Sequence, residues 1–223
     1  MLPDEVVQDL FSRWRTTTSR DYTLTVAFRG RLGNNMFEYA SLLGIAVSTG
    51  KQPLIPKSIE LNILFNISFI GDMRNQSSTR VLERQYGAYD RKLLTLPGGN
   101  VEVLGYLQSW KYFHCIRASI RKEFMFRQKY IDLSATDDKN WCRKYVVSSD
   151  IILMENSDPF VDFATLTLCD HMIMTVGTFG WWAAWLGDGH AVYYRDFPRP
   201  GSGLDRDLIK EDHFLPHWVP LGA

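Results

Sequence analysis

What this 223-residue sequence has little of already narrows its chemistry. Cysteine is scarce: Cys115, Cys142 and Cys169 have no metal-ligand spacing, so no metal site is expected, and their odd number leaves at least one thiol unpaired within the chain. Excess charge of either sign is missing, with 25 Lys plus Arg against 25 Asp plus Glu. That balance argues against a polyanion partner, so no nucleic acid and no electrostatic membrane contact is expected. Long apolar runs are absent too. Met1-Leu2-Pro3-Asp4-Glu5 is acidic and leads into no apolar signal core, and the stretch from Phe160 to Leu186 is interrupted by Asp162, Asp170 and His171. No signal peptide or membrane anchor is therefore expected in this chain. Neither a G-x-G-x-x-G fingerprint nor a P-loop occurs, which sets aside the enzymes built on those phosphate sites.

What is there is an alternating α/β pattern. Hydrophobic residues make up 45% of the chain, enough for a sizeable core, and seven tryptophans supply packing surfaces that also stack on sugars. Residues 1–21 read as a leader with one helix from Asp4 to Arg15. Residues 22–126 read as a first Rossmann-like lobe. There Thr23–Phe28 alternates as a strand, Gly30-Arg31-Leu32-Gly33-Asn34-Asn35 turns into a helix closed by Gly50, and Pro53–Pro56 reads as a second strand, completing a βαβ unit. Residues 57–100 carry little pattern. Val101–Tyr106 is a strand candidate, and Trp110–Phe124 reads as one helix with Phe113, Ile116, Ile120 and Phe124 on one side. Asn66-Ile67-Ser68 and Asn75-Gln76-Ser77 match the N-glycosylation acceptor pattern, which suits a lumenal protein.

Residues 127–223 read as a second Rossmann-like lobe. Its expected elements are strands at Tyr130–Leu133 and Asp150–Met154 with a helix capped near Asp137 or Asp138 between them. A helix follows with Asp158 as N-cap and Pro159 at its first position, then strands His171–Thr175 and Ala191–Tyr194 around a Trp-rich helix. Strands alternating with helices imply parallel sheets, here two Rossmann-like halves facing a cleft. Pro198–Gly203 reads as loop and Phe214–Trp218 as a packed tail. The corner Gly177-Thr178-Phe179-Gly180 joins an apolar strand to a helix. A hydroxyl and first-turn amides at the carboxyl end of a parallel strand suit an anion. By residue type alone, Thr178 reads more simply as a helix cap.

Four stretches, in order along residues 22–218, resemble the α-1,2-fucosyltransferases. They are Gly30-Arg31-Leu32-Gly33-Asn34-Asn35-Met36-Phe37-Glu38-Tyr39-Ala40, Gly105-Tyr106-Leu107-Gln108-Ser109-Trp110-Lys111-Tyr112-Phe113, Asp162-Phe163-Ala164-Thr165-Leu166 with Cys169-Asp170-His171, and Thr175–Leu186. The resemblance implies a GT-B-like glycosyltransferase that moves L-fucose from GDP-fucose to the 2-hydroxyl of a terminal galactose, with inversion and no required metal or other cofactor. A Golgi lumenal location is implied as well, although family members carry an N-terminal anchor helix.

The resemblance also places residues. Arg31, Gly33 and Asn34 would lie beside the donor, with Arg31 and Asn34 on the fucose and its leaving phosphate. Positive charge is suited to that place because negative charge develops on the departing diphosphate. Asp162 would accept from the guanine edge, and Thr178 with the Phe179 amide would meet the phosphates. Tyr106, Gln108, Ser109 and Trp110 would shape the cleft or the site of a galactose-terminated glycan acceptor. By residue type alone, Arg31 also reads as a solvated loop cation, Gly33 as a backbone requirement, and Asp162 as a first-turn charge favoured by the helix dipole. His114 and His171 read more simply as packing residues, and no catalytic base is assigned.

One departure matters. Members of the resembled family open the second lobe with a His-x-Arg-Arg-x-Asp stretch whose arginines hold the donor diphosphate. Here Phe124-Met125-Phe126 passes through Arg127-Gln128-Lys129 straight to Tyr130–Leu133. A strand-helix unit is missing, so the second lobe is shortened and incomplete. Arg127, Lys129 and Arg143 are partial substitutes, but a phosphate clamp needs a fixed fork geometry. The expectation is fucosyl transfer by descent with weak donor binding and low or absent turnover. The alternative is an inactive glycan- or nucleotide-binding remnant, or an incomplete isoform.

Overall fold

The computed structural model describes residues 3–16, 22–71, 77–127 and 158–222. The strands expected at Tyr130–Leu133 and Asp150–Met154, the helix near Asp137 or Asp138, and Lys129, Cys142, Arg143 and Asn75 lie outside them. The chain forms two compact units, Met1–Met125 with Asp196–Trp218, and Phe126–Arg195 with Val219–Gly222.

In the first unit, α1 (Asp4–Thr16) buries Val7, Phe11 and Trp14, with both aromatic rings set edge-on against Phe69. Strand β1 (Thr23–Val26) is followed by α2 (Leu32–Thr49), then β2 (Gln52–Pro53) and β3 (Ile55–Pro56). The sequence α2 carries is apolar on nearly every side. Met36, Phe37, Tyr39, Ala40, Leu42, Leu43 and Ile45 are all fully buried, as expected of a helix wrapped by its own domain. Each such large side chain contributes about 1.5–3 kcal/mol by leaving water. The helix ends at Gly50 in the left-handed conformation, φ 69°.

The chain continues through β4 (Ile70–Gly71), β5 (Thr79–Leu82), β6 (Val101–Leu104) and α3 (Arg117–Glu123). A four-stranded parallel sheet runs in the order β2-β1-β6-β5. Its register places Leu24 opposite Val101 and Val26 opposite Val103. The expected strand Pro53–Pro56 is two strands: Gln52–Pro53 pairs with β1, whereas Ile55–Pro56 pairs with β4 in a separate small sheet. The expected helix Trp110–Phe124 is two 3₁₀ turns, Trp110–Tyr112 and His114–Ile116, leading into the short α3. Phe113, Ile116, Ile120 and Phe124 are still all buried. Spacings of three and four residues keep one face in either geometry.

The second unit consists, among the described residues, of α4 (Pro159–Leu166), β7 (His171–Met174), α5 (Thr178–Gly187), β8 (His190–Tyr194) and β9 (Val219–Leu221). The three strands form a parallel sheet in the order β7-β8-β9. Asp158 caps α4 by accepting from the Phe160 amide at 2.8 Å, with Pro159 in the first turn. Trp181, Trp182 and Trp185 of α5 are buried, with ring centroids 5.0 and 5.2 Å apart in edge-to-face pairs. The tail corrects the expected lobe 127–223. Asp196–Trp218 belongs to the first unit, where Asp212, His213, Phe214 and Trp218 are buried, and only Val219–Gly222 returns to the second.

Candidate functional site

The carboxyl ends of β1, β6 and β5 are adjacent, which is where open parallel sheets gather ligands. After β1 the chain makes the Gly30–Asn34 turn. The glycine whose backbone needs glycine is Gly30, at φ 81°, rather than the expected Gly33, which is buried inside α2. A Cβ on Gly30 would also fall 2.2 Å from Asn34 Nδ2. Arg31 is the N-cap of α2 in extended conformation and makes no side-chain cap, and the first turn holds no acid. Its carbonyl accepts the Asn34 and Asn35 amides at 3.0 and 3.1 Å. The Arg31 side chain is exposed beside a helix N-terminus, a setting that attracts anions.

Beneath this turn lies Glu38, fully buried. It accepts from the Arg29 amide at 3.0 Å and from Asn35 Nδ2 at 3.2 Å. Burial pushes its carboxyl up to about 8, against the pull of those two donors. Sequence reasoning placed Glu38 within a motif but gave it no task; here it ties the turn to the helix.

Gln108 is the centre of the second strand-end loop. Its Nε2 donates to Asn34 Oδ1 at 3.0 Å, its Oε1 accepts from Tyr86 Oη at 2.7 Å, and its carbonyl bonds His213 Nδ1 at 2.9 Å. His213 stacks on Phe37, and burial lowers it to about 4, so it is neutral and its Nδ1 donates. Tyr106 is half-buried and packs edge-on against Tyr86 at 5.6 Å. Glu83, following β5, accepts from the Leu107 amide at 3.1 Å and is pushed up to about 7 by burial.

The other two expected cleft residues are tied to the returning tail. Ser109 is fully buried, donating to the Asp212 carbonyl at 2.8 Å and capping the following 3₁₀ turn. Trp110 donates from Nε1 to the Glu211 carbonyl at 3.3 Å and packs against His114. Sequence reasoning missed Glu83, Tyr86 and His213. Tyr86 and His213 lie 22 and 105 residues from their shared partner, and no local pattern links them.

In the second unit Asp162 is buried in the first turn of α4. Thr178 is not the helix cap that its residue type suggested. Gly177 holds that position without a side-chain cap, and Thr178 is the first helical residue, half-buried. Phe179 packs edge-on against Phe163 at 5.0 Å. Gly177 is exposed, and α5 has no acid in its first turn. His171, exposed, lies beside His190 across β7 and β8. Asn66 is exposed, as a glycan-bearing residue must be. Among the described residues, no cluster of three His, Cys, Asp or Glu side chains could hold a metal ion, and no helix is long and apolar enough to cross a membrane.

Comparison with known proteins gives these sites their context. The chain is 27% identical to galactoside 2-alpha-L-fucosyltransferase Sec1 of Mus musculus over 277 residues, covering 92% of this chain and 75% of the mouse protein. It is 28% identical to galactoside alpha-(1,2)-fucosyltransferase 2 of Rattus norvegicus over 272 residues, covering 89% and 77%. Since 92% of 223 residues is about 205, about 70 of the 277 aligned positions have no counterpart here. A solved mutant of Arabidopsis thaliana FUT1 in complex with GDP superimposes with a TM-score of 0.47 at 11% identity, over 86% of this chain and 75% of that one. The family model described as glycosyl transferase family 11 matches residues 5–132 and 125–222, two segments that together span nearly the whole chain. On that match the chain belongs to glycosyl transferase family 11.

Proposed function

We propose that the chain descends from, and retains the acceptor side of, a galactoside α-1,2-fucosyltransferase. Such an enzyme transfers L-fucose from GDP-fucose to the 2-hydroxyl of a terminal galactose, inverting at the anomeric carbon without a metal or other cofactor, on glycans in the Golgi lumen. The observation that carries this reading is the family membership together with relatives named for that activity. The first unit supports it. Tyr86, Tyr106 and Asn34 gather at strand ends around the buried Gln108 carboxamide as aromatic faces and uncharged hydrogen-bonding groups, the chemistry that recognises sugars.

On the donor side, Arg31 and Asn34, both at the α2 N-terminus, are assigned to the fucose and its leaving phosphate. Gly33 keeps that first turn close enough for contact. Asp162 is assigned to the guanine edge, because two carboxylate oxygens match the N1 and N2 donors. Thr178 and the Phe179 amide, at the N-terminus of α5, are assigned to the phosphates. Transfer forms the bond from the galactose 2-oxygen to the fucose anomeric carbon while the bond to the diphosphate breaks. The electron pair leaves on GDP, and the hydroxyl proton passes to solvent or buffer.

A second reading rests on one observation. The two family matches overlap only at 125–132, and about 70 positions of the mouse relative have no counterpart. The expected His-x-Arg-Arg-x-Asp clamp is missing at that same break. Weak donor binding and low or absent turnover follow, which would leave a glycan- or nucleotide-binding remnant. The deciding experiment pairs thermal shifts in GDP, GDP-fucose and lactose with a transfer assay on lactose. Stabilisation by lactose with little or none by GDP supports a compromised transferase. Robust turnover of GDP-fucose overturns the loss of activity, and no response to any ligand overturns both readings.

A further inference from the structure

Leu107 is the anomalous residue of the loop after β6. It is fully buried and has φ 52°, in the left-handed region that leucine rarely adopts. Such a conformation costs roughly 1–3 kcal/mol and persists only where its surroundings over-determine it. Two side chains do so here. Glu83 Oε2 accepts the Leu107 amide at 3.1 Å, and Ser41 Oγ donates to the Leu107 carbonyl at 2.9 Å. The Glu83 side chain lies directly over Gly105, where a Cβ would fall 2.4 Å from Oε2 and 2.5 Å from the Glu83 Cβ. Only glycine permits that approach.

Glu83 is itself held at a cost. The residue is 7% exposed, and Oε1 is buried with no hydrogen-bond partner. An unsatisfied buried carboxyl oxygen is destabilising, so a role confined to stability explains Glu83 poorly. What the clamp delivers is the next residue. Gln108 follows the strained leucine, and its carboxamide is shared between Asn34 and Tyr86.

We propose that Glu83 is a positioning residue of the sugar site, fixing Leu107 in the left-handed conformation so that the buried Gln108 carboxamide holds Tyr86 towards hydroxyls of the acceptor and Asn34 towards the donor sugar. The assignment rests on the acceptor reading given above. Neither Glu83 nor Gln108, both buried, touches the sugar; the half-buried Tyr86 does.

The test uses the full chain and lactose as probe, with binding followed by titration and Leu107 amide protection by hydrogen exchange. Gln108→Ala and Glu83→Ala each weaken lactose binding about tenfold, the equivalent of one well-placed hydrogen bond. Glu83→Gln keeps an oxygen for the Leu107 amide and binds within about threefold of wild type, with that amide still protected. Should Glu83→Ala fail to fold, Glu83→Asp, too short to reach Leu107, shows the same loss. Wild-type affinity in Glu83→Ala or Glu83→Asp overturns the proposal, as does a Glu83→Gln chain that loses lactose while Leu107 stays protected. A wild-type chain that ignores lactose but protects Leu107 overturns the acceptor reading and this role with it; a Leu107 amide indifferent to Glu83→Asp overturns the clamp alone.

Discussion

The two units prepare their strand-end corners in opposite ways. In the first, the Gly30–Asn34 turn and the Gly105–Gln108 loop are held by buried polar side chains: Glu38 on Arg29, Glu83 on Leu107, Gln108 on Asn34, and His213 on the Gln108 carbonyl. In the second, α5 is fixed from behind by Trp181, Trp182 and Trp185, while its leading corner at Gly177 has no side-chain cap. One corner is preorganised by hydrogen bonds between buried groups, and the other rests on a helix packed by its tryptophans. A preorganised polar corner can discriminate hydroxyl geometry. An uncapped helix start can attract an anion but cannot by itself orient one.

The largest effect is expected at the tryptophan cluster of α5. Trp182→Ala should cost about 3–5 kcal/mol, because a fully buried indole leaves a cavity that its two tryptophan neighbours cannot fill. Denaturant unfolding followed by circular dichroism measures it. A loss below about 1 kcal/mol would show that the tryptophans do not hold the second unit.

Next comes the first corner. Gly30→Ala places a methyl on a left-handed residue and against Asn34, and about 1–3 kcal/mol of stability should be lost. Lactose binding should fall with it, since Asn34 cannot move without breaking its bond to Gln108. Melting curves with and without lactose separate the two losses. An alanine chain that keeps both stability and lactose response would refute the preorganised corner.

Preorganisation by buried carboxyls has a signature in pH. Burial pushes Glu38 up to about 8 and Glu83 up to about 7, from an ordinary 4.5. Each keeps its proton in the folded chain where the unfolded chain has released it, so their contribution is lost as pH rises towards 8. His213 acts in the opposite sense. Burial holds it down to about 4 from 6.5, and the stability it costs in acid is regained by about pH 6.5. Between pH 6.5 and 8 the two carboxyls outweigh His213, so the melting temperature should fall by a few degrees. In Glu83→Gln that fall should be visibly shallower, and an unchanged slope would exclude Glu83 as its source.

Much of this was legible in the chain because local chemistry marks it. Asp158-Pro159 announced a helix start, Gly50 a helix end, and the Gly-Arg-x-Gly-Asn and Thr-Phe-Gly-Trp-Trp strings the two corners. What escaped has weak or distant signals. Strand β5 lies at the edge of its sheet, with Leu82 69% exposed, and so lacks the alternation that reveals a half-buried strand. The clamp on Gln108 is assembled from Asn34, Tyr86 and His213, brought together only by the sheet and the returning tail. Lone residues at such separations carry no spacing to read.

The smallest expected effects sharpen the comparison most, because the same hydroxyl deletion is made in both units. Ser109→Ala removes a buried donor from the Asp212 carbonyl and should cost about 1–2 kcal/mol of stability, with donor response unchanged. Thr178→Ala acts at a half-exposed first helical residue that is not the cap, so it should cost less stability than Ser109→Ala. Its effect should appear in the nucleotide. If Thr178 meets the phosphates, the stabilisation by millimolar GDP should shrink by roughly 0.5–1.5 kcal/mol, the worth of one hydrogen bond. Thermal shifts in GDP, read against each variant's own unliganded melting temperature, separate the two hydroxyls. Equal GDP responses in wild type and Thr178→Ala would remove Thr178 from donor binding and leave α5 a packing helix.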